Sequence, residues 1–211
     1  SLEGDMMKTE SQSVKLLAER DPRLLPWKEM GVDMVIESTG IFRTKAQLQN
    51  HISSGAKRVI LTVPAKDEID YTVVLGVNDN GLKPEHKIVS NASCTTNGLA
   101  PIAKVVEEGI GIESGLMNTI HSYTNDQSLL DNMHTDIRRA RAACVSMIPT
   151  QTGAAAAIGL VIPSLKGKMD GVAIRVPTNN VSLVDLTLTT KRKTSKEEIN
   201  QLMKEASETS L

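Results

Sequence analysis

Short apolar segments alternate with amphipathic helical segments over the first half of the chain, and this alternation constrains the fold more than any other feature. Strands are predicted over 32–36, 59–63, 71–77 and 88–89. Between the first two strands, Thr44 is placed to cap a helix that ends at Gly55. Apolar strands separated by helices are typical of a parallel sheet with covered faces, whose ligands bind at the carboxyl ends of the strands.

The pattern changes near Cys94, where we place a domain boundary. Further helices are predicted over 99–106, 137–148 and 153–162, and further strands over 116–122 and 172–176. Apolar and polar residues then alternate over 184–189, which predicts a strand with one wet or helix-shielded face. A last helix is predicted to start near Ser195, with Thr194 and Glu197 spaced as a capping box.

Composition excludes several classes of function. The 211 residues suffice for one large domain or two modest ones, and a net charge of -1 gives no general attraction to nucleic acid or anionic membrane. No apolar run approaches the roughly 18 residues of a membrane span, and no signal peptide opens the chain. Two cysteines do not make a disulfide framework, so a cytoplasmic setting is expected. Residues 1–13 look like a polar lead-in, and both ends look cut, as in an internal portion of a longer protein.

A possible nucleophile and base stand out at the predicted domain boundary. Cys94 lies where a strand gives way to a helix, and His121 lies on the next predicted strand. The helix dipole favours a thiolate by only about 0.3–1 kcal/mol, so a nearby imidazolium is needed to activate the thiol strongly. His121 could supply it, and the backbone N–H of Cys94 could hold an oxyanion. A buried structural cysteine with a hydrogen-bonded core histidine is the alternative, and spacing leaves both open.

The neighbouring residues suggest an anionic substrate. Hydroxyl groups suited to phosphate are found at Ser93, Thr95, Thr124 and Thr152. Thr152 and Gly153 open a predicted helix, whose free N–H groups favour anions. Arg141 and Arg175 could each bind phosphate with two hydrogen bonds, and Arg175 lies in an otherwise apolar strand. The alternatives are helix capping for the hydroxyl groups and a solvated helix face for Arg141. No metal-ligand spacing is found, and His51, His86 and His134 are predicted to lie at the surface.

Several of these segments resemble the phosphorylating glyceraldehyde-3-phosphate dehydrogenases. They are Ser-Asn-Ala-Ser-Cys-Thr-Thr-Asn at 90–97, His-Ser-Tyr-Thr-Asn-Asp-Gln at 121–127, and the shorter runs at 139–143, 152–155 and 175–178. The resemblance runs from about Val14 to the end. It implies an α/β protein in which part of a doubly wound, Rossmann-like dinucleotide-binding domain precedes an α+β catalytic domain with a mixed sheet. Residues 1–93 would be the C-terminal part of the NAD(P)-binding domain, and 94–211 a catalytic domain that is incomplete at its C-terminus.

The resemblance also implies a reaction and a set of site residues. Cys94 would attack the aldehyde of glyceraldehyde 3-phosphate, and His121 would take the hydroxyl proton as hydride passes to NAD or NADP. Inorganic phosphate would then release 1,3-bisphosphoglycerate. Thr124 and Arg175 would hold the substrate phosphate, with Arg141 contributing. By the same resemblance, the attacking phosphate would be held by Ser93, Thr95, Thr152 and Gly153, and the cofactor would be lined by Arg20, Ser38, Thr39, Gly40, Thr62 and Asn125.

Some alternatives stay open in the sequence. The residues that distinguish NAD from NADP are expected before Ser1, so that choice is undecided. Erythrose-4-phosphate dehydrogenase would use the same cysteine and histidine, and a thiol hydrolase would need only that pair. A truncated, non-catalytic chain is a further possibility. The resemblance implies a homotetramer when the protein is complete. We expect no metal, from the lack of ligand spacing, and we expect exposed apolar surface and an open sheet edge in this stretch alone.

Overall fold

A small antiparallel sheet opens the chain in the computed structural model, which describes residues 1–209 and Leu211. Its strands are β1 (Leu2–Glu3), β2 (Met6–Lys8) and β3 (Ser13–Lys15), in that order. The sequence predicted only a polar lead-in here, which is wrong. Nearly every residue of these strands is exposed, so no apolar alternation signals them, and backbone pairing alone defines them.

A four-stranded parallel sheet follows, as the alternating pattern predicted. It contains β4 (Met34–Glu37), β5 (Arg58–Leu61), β6 (Tyr71–Thr72) and β7 (Ile88–Ser90), in the order β4-β5-β7-β6. Helix α1 (Lys45–Ser53) connects β4 to β5, and its predicted cap is confirmed, because Thr44 and Gln47 form a capping box. The parallel strands and the crossover helix are typical of the sheet of a doubly wound fold.

The predicted strand over 71–77 is wrong in length, because β6 ends at Thr72. The side chain of Asn78 accepts from the Val74 backbone N–H at 2.8 Å and donates to the Thr72 carbonyl at 2.9 Å. An amide side chain therefore takes the backbone groups that a longer strand would have used, and the chain turns into a short 3-10 helix at Asp79–Gly81.

One face of the parallel sheet packs on α1, and the other is open. The buried side chains of this region are Val35, Leu48, Ala56, Val59, Leu61 and Ile88. On the opposite face of β4, Met34 and Ile36 are 46% and 65% exposed. The expectation that both faces are covered is therefore wrong for the residues described, whereas the exposed apolar surface expected for this stretch is present.

The second half of the chain forms a mixed sheet covered by helices. Its elements are α2 (Cys94–Gly109), β8 (Ile112–Ser122), β9 (Ile148–Gln151), α3 (Ala154–Val161), β10 (Met169–Val176), β11 (Ser182–Thr190) and α4 (Lys196–Ser207). The strand order is β11-β8-β10-β9, with β8 and β10 parallel and the outer pairs antiparallel. The predicted α/β layer followed by an α+β region with a mixed sheet is thus confirmed.

The core of this half lies between the sheet and its helices. Leu99 of α2, Met117 of β8 and Ile158 of α3 are fully buried. On β11, Val184, Leu186 and Leu188 pack against this cluster, which confirms the predicted helix-shielded face. Both the start of α2 and the end of β8 are held by this half of the molecule, since Thr96 and Ser122 are buried there.

Two predictions about helices in this half need correction. The stretch 137–148 forms only a short 3-10 helix at Ile137–Ala140 before β9 begins. Its apolar residues Ile137, Val145 and Met147 are 83%, 75% and 70% exposed, so their helical spacing is not matched by a core. The cap of α4 lies one residue later than predicted, since Ser195 accepts from the Glu198 backbone N–H. Among the residues described, no helix combines the length and apolarity needed to cross a bilayer.

Candidate active site

A strained turn leads from the parallel sheet to Cys94. After β7 ends at Ser90, Ala92 adopts a left-handed conformation with φ of 63° although it is not a glycine, which costs roughly 1 kcal/mol. The Ser90 hydroxyl supports the turn, because it donates to the Val63 carbonyl at 2.8 Å and accepts from the Ala92 N–H at 3.0 Å. The turn brings Cys94 to the first position of α2.

The first turn of α2 is capped by its own side chains. Ser93 is the N-cap and accepts from the Thr96 backbone N–H at 3.0 Å, so the capping interpretation of Ser93 is confirmed. Asn97 donates to the carbonyls of Asn91 and Ser93 at 2.8 and 2.9 Å. The N–H groups that begin an α-helix have no partner within it. The Cys94 N–H is therefore suited to an anionic oxygen beside the thiol.

Cys94 and His121 lie together, as the sequence predicted. The Sγ of Cys94 is 3.4 Å from Nε2 of His121, which stands at the carboxyl end of β8. Cys94 is exposed, whereas His121 is 8% exposed. An exposed thiol on a buried imidazole contradicts the alternative of a buried structural cysteine and fits a nucleophile with an adjacent base.

The second ring nitrogen of His121 faces a donor and an acceptor at once. Nδ1 lies 2.7 Å from the Ser122 carbonyl oxygen and 2.7 Å from Nη1 of Arg175, and the same Nη1 donates to the Ser122 carbonyl at 2.8 Å. Guanidinium groups only donate and carbonyl oxygens only accept. Nδ1 therefore has a partner whether or not it carries a proton, and the ring can change its protonation state in place.

Arg175 is a half-buried cation on β10, paired in register with His121. Burial lowers its pKa, while the nearby Cys94 and Asp126 groups act to raise it and Arg139 acts to lower it. Its Nε is buried without a hydrogen-bond partner. Within residues 1–209 and 211, no carboxylate forms an ion pair with Arg175. Such a group is well suited to bind an anion from solution.

The structure places Arg139, which the sequence did not single out, near Arg175. Arg141 is exposed and pairs with Asp131 at 3.0 Å. Arg139, by contrast, is largely buried, donates to the Thr150 hydroxyl at 2.7 Å and to Asp126 at 2.5 Å, and adds positive charge beside Arg175. The partners of Arg139 lie 11 and 13 positions away, so spacing within the run 138–141 could not single it out. Asp126 was likewise missed as an electrostatic neighbour of Arg175.

The remaining predicted phosphate ligands fall into two groups. Thr124 and Gly153 are exposed, although the Thr124 backbone N–H and hydroxyl both contact the Gln127 side chain. Thr95 is buried, and the Thr152 hydroxyl accepts from the Ala154 backbone N–H at 3.2 Å, just before α3, whose N-cap is Gly153. Only the first group presents itself to solvent without rearrangement.

The predicted cofactor residues lie mainly along the carboxyl edge of the parallel sheet. Ser38, Thr39 and Gly40 follow β4 directly and are exposed, and Thr62 follows β5. Asn125 is exposed in the loop after β8, and Arg20 lines a shallow cavity with Phe42. Hydroxyl and backbone groups at this edge fit a dinucleotide, which such sheets bind there. In the described part of the chain, no group of three His, Cys, Asp or Glu residues could hold a metal ion.

A parallel dinucleotide-type sheet that runs through a turn into a thiol–imidazole pair is typical of thiol-dependent dehydrogenases. Comparison with known proteins then identifies the family. Residues 93–211 match the family model "Glyceraldehyde 3-phosphate dehydrogenase, C-terminal domain", and residues 1–45 match that of its NAD binding domain. The chain therefore belongs to the glyceraldehyde-3-phosphate dehydrogenase family.

Curated relatives agree with this assignment. The chain is 57% identical to a glyceraldehyde-3-phosphate dehydrogenase of Borreliella burgdorferi, over 95% of the chain and 61% of the relative. It is 56% identical to that of Borrelia hermsii, over 95% of the chain and 78% of the relative. For glyceraldehyde-3-phosphate dehydrogenase 2 of Bacillus subtilis the identity is 54%, over 98% of the chain and 61% of the relative. The chain thus spans about three fifths of the length of the Borreliella and Bacillus relatives.

Proposed function

We propose that the protein oxidises glyceraldehyde 3-phosphate to 1,3-bisphosphoglycerate, with NAD or NADP as hydride acceptor and inorganic phosphate as second substrate. The observation that carries this proposal is the 3.4 Å contact between the exposed Cys94 thiol and the buried His121 imidazole. The half-buried Arg175 beside this pair supports an anionic substrate. The names of the relatives supply the particular aldehyde.

The proposed chemistry begins at the sulfur atom. Cys94 Sγ forms a bond to the aldehyde carbon, and the proton released from the thiol goes to the carbonyl oxygen to give a hemithioacetal. The N–H groups at the start of α2 stabilise the negative charge that develops on that oxygen. Nε2 of His121 then removes the hydroxyl proton, while Nδ1 donates to the Ser122 carbonyl and so stabilises the imidazolium.

Residues 38–40, Thr62 and Asn125 would hold the nicotinamide cofactor, which would supply the acceptor for the hydride that leaves the carbon as the thioester forms. An oxygen of inorganic phosphate next attacks the thioester carbon, and the Cys94 thiolate leaves. The imidazolium of His121, 3.4 Å away, favours that thiolate as a leaving group. The proton lost by the attacking phosphate goes to solvent, and the hydroxyl proton held on His121 restores the Cys94 thiol for the next cycle.

Recognition of the substrate phosphate is assigned to Arg175 and Thr124. Arg175 has no carboxylate partner within residues 1–209 and 211, and burial removes water from its guanidinium group. A bound anion would replace the interactions lost with that water. Arg139 is less exposed than Arg141 and acts on the pKa of Arg175, which supports it, instead of Arg141, as the second cation. We propose that the attacking phosphate is bound by Ser93, Thr95, Thr152 and Gly153. The hydroxyl groups of Ser93 and Thr152 would then contact both the phosphate and the backbone N–H groups from which they accept.

The cofactor is assigned to the carboxyl edge, at Arg20, Ser38, Thr39, Gly40, Thr62 and Asn125. We further propose that residues 1–93 belong to the cofactor-binding domain and 94–211 to the catalytic domain, with residue 210 outside the described residues. A homotetramer in the cytoplasm is expected for the complete protein, as the family resemblance implies.

The complete gene product that carries this sequence tests the proposal. We expect NADH or NADPH formation from glyceraldehyde 3-phosphate that requires inorganic phosphate and is lost in Cys94→Ser. Faster turnover of erythrose 4-phosphate would assign the sister activity instead. Ester hydrolysis without nicotinamide would assign a thiol hydrolase, and a folded protein without turnover of any of these would support a non-catalytic chain.

A further inference from the structure

A second buried histidine lies in the parallel-sheet half, outside the Cys94 site. His51 of α1 and Glu37 of β4 are 4% and 3% exposed, and His51 Nε2 lies 3.1 Å from Glu37 Oε2. The indole Nε1 of Trp27 lies 3.1 Å from His51 Nδ1. The prediction that His51 lies at the surface is therefore wrong, and the proposed reaction gives these residues no role.

The donors and acceptors of this group are fully determined by chemistry. An indole N–H only donates, so His51 Nδ1 must accept from Trp27. The proton of the neutral ring then lies on Nε2, which donates to Glu37 Oε2. Unlike His121, His51 has one consistent arrangement, with each nitrogen committed to a single partner.

The other oxygen of Glu37 is bonded to the predicted cofactor loop. Glu37 Oε1 accepts from the Thr39 backbone N–H at 2.8 Å and also from the Thr39 hydroxyl. The Glu37 carbonyl accepts from the Thr62 N–H and hydroxyl at 3.0 and 3.2 Å. A single buried residue thus ties the loops after β4 and β5 together at the carboxyl edge of the sheet.

Burying a carboxylate in a core carries a large desolvation penalty. Apolar residues of similar volume usually stabilise a protein as well as a buried charged pair does. The location of this one, directly beneath the exposed residues 38–40, suggests a role in shaping that loop. Gly40 supports this, since its φ of +74° bends the loop and leaves open space where a Cβ would stand.

We propose that Trp27, His51 and Glu37 form a positioning network that holds the loop 38–40 in the shape that receives the nicotinamide cofactor. The network acts through Thr39 and not on the reacting atoms. Loss of a member should therefore weaken cofactor binding and leave the reactivity of the Cys94 thiol unchanged. The inference rests on the proposed function for the identity of the ligand, but the shape of the loop is testable without it.

Glu37→Gln in the complete gene product is the main test. Glutamine offers a single acceptor oxygen, so it cannot serve both His51 and Thr39. We expect the Kd for NAD, measured by calorimetry, to rise about tenfold. In the cofactor-free protein, hydrogen exchange at the Thr39 amide should accelerate about tenfold, while the alkylation rate of Cys94 stays within about twofold.

Glu107→Gln is the matched control. Glu107 is also a largely buried carboxylate, bonded to the Ile112 N–H at 2.6 Å, but it lies near the far end of α2. It should lower stability without changing the Kd for NAD or exchange at Thr39. Equal effects of the two substitutions on the Kd would mean that the loss of Glu37 acts through general destabilisation and would overturn the proposal.

Trp27→Phe removes one donor at the far end of the network and provides a milder variant if Glu37→Gln does not fold. We expect a Kd for NAD raised about threefold and faster exchange at Thr39. Unchanged Kd and unchanged exchange in a folded variant overturn the network. Failure of the wild-type protein to reduce NAD with glyceraldehyde 3-phosphate overturns the proposed function instead, and exchange at Thr39 then still decides whether the network shapes the loop.

Discussion

The two halves of the molecule treat their buried polar groups in opposite ways. In the parallel-sheet half, the Glu37 carboxylate and the His51 ring are bonded to partners that suit only one protonation state. In the mixed-sheet half, His121 faces a thiol on one nitrogen and both a donor and an acceptor on the other. The same residue type thus has one consistent hydrogen-bond arrangement in one place and more than one in the other, according to its partners.

Arg175 extends this comparison to charge. Glu37 has its hydrogen-bond partners within the fold, whereas Arg175 is half-buried and forms no ion pair within residues 1–209 and 211. Substitution of Glu37 should lower the free energy of unfolding, and substitution of Arg175 should weaken ligand binding. Substitution of Arg175 should therefore change ligand binding without lowering stability, whereas substitution of Glu37 should lower stability as well as cofactor binding.

The largest effect is expected at the nucleophile. Cys94→Ser should lower kcat on the order of 10⁴-fold, because a serine hydroxyl at this position lacks thiolate reactivity. The exposed side chain makes few packing contacts, so the melting temperature should hardly change. Steady-state kinetics and a thermal melt measure both, with Cys144→Ser as the control. Comparable loss in both variants would contradict the assignment of Cys94.

His121→Asn should come next. Without the imidazole, kcat should fall roughly 10²- to 10³-fold, and alkylation of Cys94 by iodoacetamide at pH 7 should slow about tenfold. His51→Gln is the informative comparison, since it removes the other buried histidine and should leave alkylation unchanged. If both substitutions slow alkylation equally, the contrast between the two histidines is wrong.

Arg175→Gln should raise KM for glyceraldehyde 3-phosphate about 30-fold, because a charge-assisted interaction with phosphate is lost. It should not lower the free energy of unfolding, since the wild-type cation is half-buried without a carboxylate partner within residues 1–209 and 211. Urea denaturation and steady-state kinetics give the two quantities. Arg138→Gln is the control, because Arg138 is exposed and pairs with Asp136 in its own turn.

Glu37→Gln should show the opposite behaviour in denaturation. It should lower the free energy of unfolding by about 2 kcal/mol, because a buried hydrogen-bonded carboxylate leaves partners unsatisfied when it is replaced. Urea denaturation at pH 7 measures the loss. A variant as stable as the wild type would show that the buried network contributes nothing to the fold.

The smallest effect concerns a carboxylate near the surface of the parallel-sheet half. Burial acts to raise the pKa of Asp70, but hydrogen bonds from Lys45 and from the Ile88 and Lys87 amides outweigh it, so the pKa lies below its ordinary 3.8. A lowered folded-state pKa contributes stability above 3.8 that is lost as pH falls through the folded value.

Asp70→Asn should therefore lower the free energy of unfolding by about 1 kcal/mol at pH 7. The difference from wild type should shrink as the pH falls below 3.8. Denaturation at several pH values checks this, with Asp33→Asn as the control, because Asp33 pairs with Lys57 in full solvent. A difference that persists at low pH would assign the loss to packing and not to charge.

Much of the fold was predictable because its signals are local. The capping box of Thr44 and Gln47 and the alternation along β11 each depend on residues a few positions apart. The prediction failed where a local pattern had no tertiary counterpart. Helical spacing at 137–148 belongs to exposed side chains, and the predicted strand at 71–77 loses its backbone groups to the Asn78 side chain.

By itself, the sequence determined the parallel strands with their capped crossover helix, the strand-to-helix change at Cys94, and Cys94 and His121 as a candidate thiol and base. Periodicity, capping and motif spacing are properties of neighbouring residues, and so they can be recognised in the sequence alone. Only the tertiary structure decided that Arg139 and not Arg141 lies beside Arg175, and that His51 is buried against Glu37. Arg139 and Thr150 are 11 positions apart, Trp27 and His51 are 24 apart, and Arg175 and His121 are 54 apart. Contacts between residues so far apart in the sequence are set by tertiary packing.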